Sequence, residues 1–177
     1  MNSGLVCAAT LIAAAGLASC QPSAPATASV TIHGKTLTIK YSAPLVKGRE
    51  GKLFGKDGRI GQDANYPVWR AGANAATVLH TDADLSVEEL AVPKGDYSLY
   101  VNLADPDKWE LIINKQTGQS GLTYDSGQDV GRVKMTMSKP PTVIEKLKYV
   151  LSDSGGGKGM LRLEWENHIA SVPFTVK

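Results

Sequence analysis

The sequence predicts an all-β fold, a single antiparallel β-sandwich or barrel-like domain of about nine strands. Apolar and polar residues alternate in short runs, turn-forming residues separate those runs, and helical periodicity is scarce. Val30 and Ile32 share one face, His33-Gly34 supplies a two-residue turn, and Leu37, Ile39 and Tyr41 continue the apolar face. In that register Ile32 opposes Lys35 and Val30 opposes Leu37. Tyr97, Leu99, Val101 and Leu103 alternate after the turn Pro93-Lys94-Gly95-Asp96. Asp105-Pro106-Asp107 then turns the chain into Trp109, Leu111 and Ile113, which should pair back as a hairpin. Further strands are expected over residues 133–137, 143–151, 160–165 and 171–176. The 143–151 segment has the best helical spacing, but its β-branched and aromatic content favours a strand. Residues 155–159, Gly-Gly-Gly-Lys-Gly, read as a flexible hairpin loop. Between residues 43 and 72 alternation stops and glycine recurs at 48, 51, 55, 58, 61 and 72. A loop that long inside a compact domain is usually functional or mobile.

The front of the chain reads differently. Residues 1–19 contain no Asp, Glu, Lys or Arg, and residues 5–19 are apolar or small throughout. That run is shorter than the roughly 20 residues a membrane-spanning helix needs, and its small-residue end suits a secretory signal. Leu17-Ala18-Ser19-Cys20 resembles the bacterial lipobox, although Met1-Asn2-Ser3-Gly4 lacks the usual basic residue. The resemblance implies a diacylglyceryl group on Cys20, cleavage before it, and a lipid anchor in the bacterial cell envelope. Gln21 after the cysteine resembles the pattern of lipoproteins sorted to the outer membrane, facing the periplasm. A plain cleavable signal peptide is the alternative. The organisation expected is therefore a signal peptide over 1–19, a lipidated Cys20 and flexible Pro/Ala/Ser tether over 20–29, and a β-rich domain over 30–177.

Removing 19 of 177 residues leaves 158, enough for one domain with a core of its own. With Cys7 lost and Cys20 lipidated, the mature domain has neither a disulfide nor a cysteine nucleophile. A net charge of +2 is too small to imply nucleic acid or anionic lipid as a partner. Its distribution is uneven. Residues 35–59 carry seven basic and two acidic residues, whereas 82–110 carry eight acidic and two basic. Solvated loops are the simplest reading. The two stretches could also meet in the fold, or the basic one could face an anionic ligand or membrane surface.

No motif implies a metal or a cofactor. His33, His80 and His168 are far apart and read as a turn residue and two strand residues. Gly34-Lys35-Thr36 lacks the helix a phosphate loop requires. Gly118-Gln119-Ser120-Gly121 lacks the spacing of a nucleophile elbow.

Trp69-Arg70-Ala71-Gly72-Ala73-Asn74-Ala75-Ala76-Thr77 is unusual in setting a large aromatic, a guanidinium and an amide among small residues. Arg70 offers a planar fork for a carboxylate or phosphate, and Asn74 can turn the chain. The architectural reading has Trp69 plugging the core, Arg70 paired with an acid such as Asp129, and Asn74 fixing a turn.

This stretch, with Lys47-Gly48-Arg49, Gly95-Asp96-Tyr97-Ser98-Leu99, Trp109-Glu110-Leu111-Ile112-Ile113-Asn114-Lys115, Tyr124-Asp125 through Asp129, and Leu161-Arg162-Leu163-Glu164-Trp165, resembles the bacterial domain of unknown function 2911 family. The resemblance covers about residues 30–176. It implies a secreted or lipidated envelope protein with a β-rich domain and leaves the activity open. The charged stretch 52–65 is longer than the family pattern at that point.

The function expected is a non-catalytic binding or partner-docking module, taking a small molecule, glycan, peptide or protein at Arg49, Arg70 and Asn74. Tyr97, Asn114, Tyr124 and Asp129 would contribute if the hairpins bring them together. One alternative is an envelope hydrolase with Asp129 or Asp125 as general base and Arg70 stabilising a developing anion. Another is a purely structural lipoprotein.

Overall fold

The structure, a computed structural model, describes residues 23–177. The expected signal peptide over residues 1–19 and the expected lipidation at Cys20 lie outside the described residues. Two antiparallel sheets face each other across one apolar core. The first contains, in spatial order, β1 (Ala24–Ile32), β2 (Lys35–Ala43), β4 (Thr77–Thr81), β7 (Gly95–Asn102), β8 (Glu110–Asn114) and β9 (Asp129–Lys134), with the short β3 (Val68–Trp69) also on β7. The second runs β11 (Ile144–Gly155), β12 (Lys158–Glu166), β13 (His168–Val176), β5 (Leu85–Val87) and β6 (Leu90–Val92), with β10 (Thr136–Ser138) also paired to β13. The expected all-β sandwich is present. Among the described residues its strands number thirteen rather than nine, because β3, β5, β6 and β10 are only two or three residues long and carry no readable alternation.

The expected first hairpin forms in the expected register, Ile32 with Lys35 and Val30 with Leu37. His33 and Gly34 both take positive φ, 49° and 72°, as a two-residue turn that matches strand twist demands. The tether expectation needs correction over residues 24–29. That segment is the front of β1, paired residue by residue with β2 from Ala24↔Ala43 onward. Pro25 is compatible because β1 is an edge strand, where a missing N–H costs no ladder bond. The 133–137 expectation also splits, with β9 ending at Lys134 and β10 starting at Thr136 on the other sheet.

β7 is buried on both faces. Tyr97, Leu99 and Val101 enter the main core, while Tyr100 joins Ile112 and Ala76 in a small second cluster. The segment between β8 and β9 covers that outer face. There Tyr100 Oη donates to the Thr123 carbonyl at 2.8 Å, and Gln119 Nε2 donates to Ser98 Oγ at 3.1 Å.

The long loop between β2 and β3 is packed. Val46, Leu53 and Ile60 are buried, Leu45 bridges Lys146, and the Val46 N–H donates to the Glu145 carbonyl at 2.8 Å. It closes the end of the sandwich where β1 begins and β12 ends.

β3 and β4 lie on the same side of β7. Trp69 pairs with Val101 and Thr77 with Leu99, so positions two apart on β7 are joined by a seven-residue excursion, residues 70–76. Ala71 and Asn74 take positive φ, 49° and 61°, to make that excursion. The Ala71 carbonyl is held in the core by Thr77 Oγ1 at 3.2 Å and Tyr149 Oη at 3.0 Å. Gly72 has no room for a side chain, since a Cβ would lie 2.9 Å from Thr77 Oγ1.

Candidate functional site

The long loop and the 70–76 excursion enclose a cavity of about 850 Å³ at that end of the sandwich. Its apolar wall includes Leu53, Ile60, Trp69 and Trp165, the two indoles stacked with centroids 5.9 Å apart. Phe54 and Trp109 extend this aromatic cluster behind the wall, at 5.6 and 6.4 Å from Trp69.

The charges of the lining are one-sided. Lys47, Arg49, Arg59, Arg70 and Lys146 meet a single carboxylate, Asp63. Among the described residues Asp63 pairs with Arg70 alone, at 3.5 Å. Lys47, Arg49, Arg59 and Lys146 have no carboxylate partner among the described residues. Arg49 is fixed by backbone, its Nε donating to the Val46 carbonyl at 2.8 Å and its Nη2 to that of Leu45 at 2.6 Å. These bonds orient the guanidinium without neutralising it. Arg70 Nε is buried with no hydrogen-bond acceptor among the described residues, and so is Trp165 Nε1. A buried donor without an acceptor costs roughly 1–3 kcal/mol, which a bound acceptor would recover.

Arg70 is held in place from the far side by Gly121. The Gly121 N–H donates to the Asn74 carbonyl at 3.1 Å, and a Cβ there would collide with Arg70 Cδ. The 118–121 stretch, unremarkable as a catalytic motif, thus supplies the space the arginine occupies.

Of the seven residues expected to form a site, Arg49, Arg70 and Asn74 line this cavity together. Asn114, Tyr124 and Asp129 form a separate cluster with Arg132. Asn114 Nδ2 donates to Asp129 Oδ1 at 2.9 Å, Tyr124 Oη to Asp129 Oδ2 at 2.7 Å, and Arg132 Nη2 to Tyr124 Oη at 2.9 Å. Burial and the adjacent Asp129 carboxylate push the Tyr124 hydroxyl up to about 12. The donors and acceptors of this cluster satisfy one another, and Asp125 caps the neighbouring turn through the Gly127 N–H at 2.9 Å. Tyr97 stands apart from both clusters, its hydroxyl donating to the Pro93 carbonyl at 2.7 Å. The expected partner of Arg70 is corrected from Asp129 to Asp63, because Asp129 is already bound by Tyr124, Asn114 and Arg132. Arg70 and Asp129, the pair the hydrolase reading needs side by side, therefore belong to different clusters.

Sequence reasoning missed Lys146 and Trp165, which arrive on strands distant in sequence. It also missed Arg59 and Asp63 as individual positions. The basic excess over residues 35–59 was the available signal, since Lys47, Arg49 and Arg59 all fall in it.

Beside the cavity, Glu166 is buried at the turn into β13 and accepts from the Gly51 N–H at 2.6 Å, tying the long loop to the second sheet. His168 Nδ1 lies 3.5 Å from its other oxygen. Burial raises the Glu166 carboxyl above its ordinary value. The folded state therefore favours the protonated form, and that stability is lost as pH rises through the folded value. Glu166→Gln should thus gain stability relative to the wild type as pH rises through and above the ordinary carboxylate range, about 4. Urea unfolding midpoints of both proteins across that range check it, and a pH-independent difference would contradict it.

A family model described as protein of unknown function (DUF2911) matches residues 23–174. The match begins with β1, so the strand formed by residues 24–32 lies within it. No curated protein and no solved structure matches the chain.

Proposed function

We propose, for a chain that belongs to the DUF2911 family over residues 23–174, a binding function: an envelope lipoprotein, anchored through Cys20, that captures a small anion. The observation that carries this reading is the cavity lined by five cations and one carboxylate, with the Arg70 Nε donor buried and unmet. Arginine forks suit carboxylate or phosphate oxygens, and the Trp165, Leu53 and Ile60 wall suits an apolar part of the same ligand.

Thermal unfolding of the whole chain against phosphates, carboxylates, neutral sugars and metal cations tests the reading. Ligand at 100 times its dissociation constant adds about 2.7 kcal/mol, a resolvable shift. Anions alone should raise the midpoint, and Arg70→Ala should keep the fold but lose the shift. Stabilisation by neutral sugars instead, by nothing at all, or equally in Arg70→Ala would overturn it. Asp63→Asn removes the one carboxylate from the lining and should tighten anion binding by up to about fivefold, the size expected of one partly exposed charge pair. Titration with the best anion of the panel measures it.

A further inference from the structure

Resting on the binding function and the Cys20 anchor just proposed, we infer that the anion is the phosphate headgroup of an anionic lipid in the membrane that carries the chain. The geometry of β1 motivates this. Ser23 and Ala24 line the cavity. Cys20 lies three residues before Ser23, a separation that spans at most about 11 Å. From Ala24, β1 runs away from the cavity for eight residue steps to Ile32, about 27 Å. At that far end His33 sits against Gly157 of the β11–β12 turn. A lipid on Cys20 therefore holds the cavity end of the sandwich against the bilayer and keeps the His33 end away from it.

The chemistry fits that position. Membrane phosphates lie in the layer where an acylated Cys20 sits, and charges attract across about 8 Å at physiological salt. Arg59 and Arg70 can each engage two phosphate oxygens, while Lys146 adds a point charge. The apolar wall beside them, Trp165 with Leu53, can receive the first methylenes of the lipid's acyl chains. A zwitterionic headgroup would bring its own cation into a lining that already has four more cations than carboxylates. Free phosphate shares the charge but leaves the apolar wall uncovered.

The three tryptophans of the chain form one cluster at the cavity, so their fluorescence reports its occupancy. The whole chain, purified with its anchor in a neutral detergent, is titrated with short-chain phosphatidylglycerol, short-chain phosphatidylcholine and inorganic phosphate. Phosphatidylglycerol should saturate at about tenfold or more lower concentration than inorganic phosphate, with phosphatidylcholine silent. Arg70→Ala should weaken the phosphatidylglycerol response about tenfold or more. Lys158→Ala, the same charge change at the opposite end of the sandwich, should leave it within about twofold, as an exposed charge outside the site would. Equal potency of inorganic phosphate would overturn the lipid assignment and leave anion binding standing. Equal loss in the Lys158 variant would reduce the effect to general surface charge and overturn it. No response to any anion would remove both the lipid assignment and the binding function beneath it.

Discussion

Trp69→Ala is expected to destabilise the domain by about 3–5 kcal/mol, read as a shift in the urea midpoint at unchanged slope. Trp69 is 2% exposed, and its ring meets Trp165, Phe54 and Trp109 at centroid distances of 5.9, 5.6 and 6.4 Å. The void left behind would be walled by rigid rings that cannot collapse into it, which places the cost at the high end for core truncation. Trp69 also adjoins the site, since it is the last residue of β3, immediately before the excursion that carries Arg70. A loss below about 1 kcal/mol would show that the aromatic cluster is not part of the core.

Gly121→Ala is the second large effect, and it separates the binding role of Arg70 from its charge. The added methyl would collide with Arg70 Cδ and stand 2.8 Å from the Asn74 carbonyl oxygen. Backbone cannot yield cheaply there, so a cost of about 1–3 kcal/mol is expected, as for overpacking elsewhere. The guanidinium must also move, and anion affinity should fall about tenfold although no charge has been removed. Gly118→Asn is the control. Gly118 has positive φ, 80°, which Asn tolerates better than most residues, and open space around it. Its substitution should leave affinity unchanged. Unchanged affinity in Gly121→Ala, with the fold intact, would show that the Arg70 position does not matter.

The strands that could be read from sequence were those with both a tight turn and sustained alternation. Residues 30–41 are the clearest case, because His33-Gly34 fixes the register and Ile32, Leu37 and Ile39 fix the face. The front of β1 was unreadable because Ala24, Pro25, Ala26, Thr27 and Ser29 bury little. They are held by main-chain pairing with β2, which leaves no mark on side-chain composition. The unusual composition of residues 69–77 has a structural cause as well as a chemical one. Small residues are needed where Ala71 takes positive φ and Gly72 packs against Thr77, so the stretch builds the wall and also presents Arg70. Proximity in sequence grouped Arg49, Arg70 and Asn74, which line one cavity. It could not separate them from Asn114, Tyr124 and Asp129, because which hairpin meets which end of the sandwich is decided by sheet order. Nor could it supply Lys146 and Trp165, which reach the cavity only because β11 and β12 start and finish there.

The most direct test of the binding site compares two arginines. Calorimetric titration of the whole chain with its best-stabilising anion is run beside Arg70→Ala and Arg132→Ala. Both variants lose one positive charge, but Arg70 lines the cavity and Arg132 is engaged by Tyr124 and Asp129. The expected result is a loss of about tenfold or more in affinity for Arg70→Ala, the worth of a charge-assisted hydrogen bond, with Arg132→Ala close to wild type. Equal weakening of the two, or a loss confined to Arg132→Ala, would contradict the assignment of the cavity as the binding site.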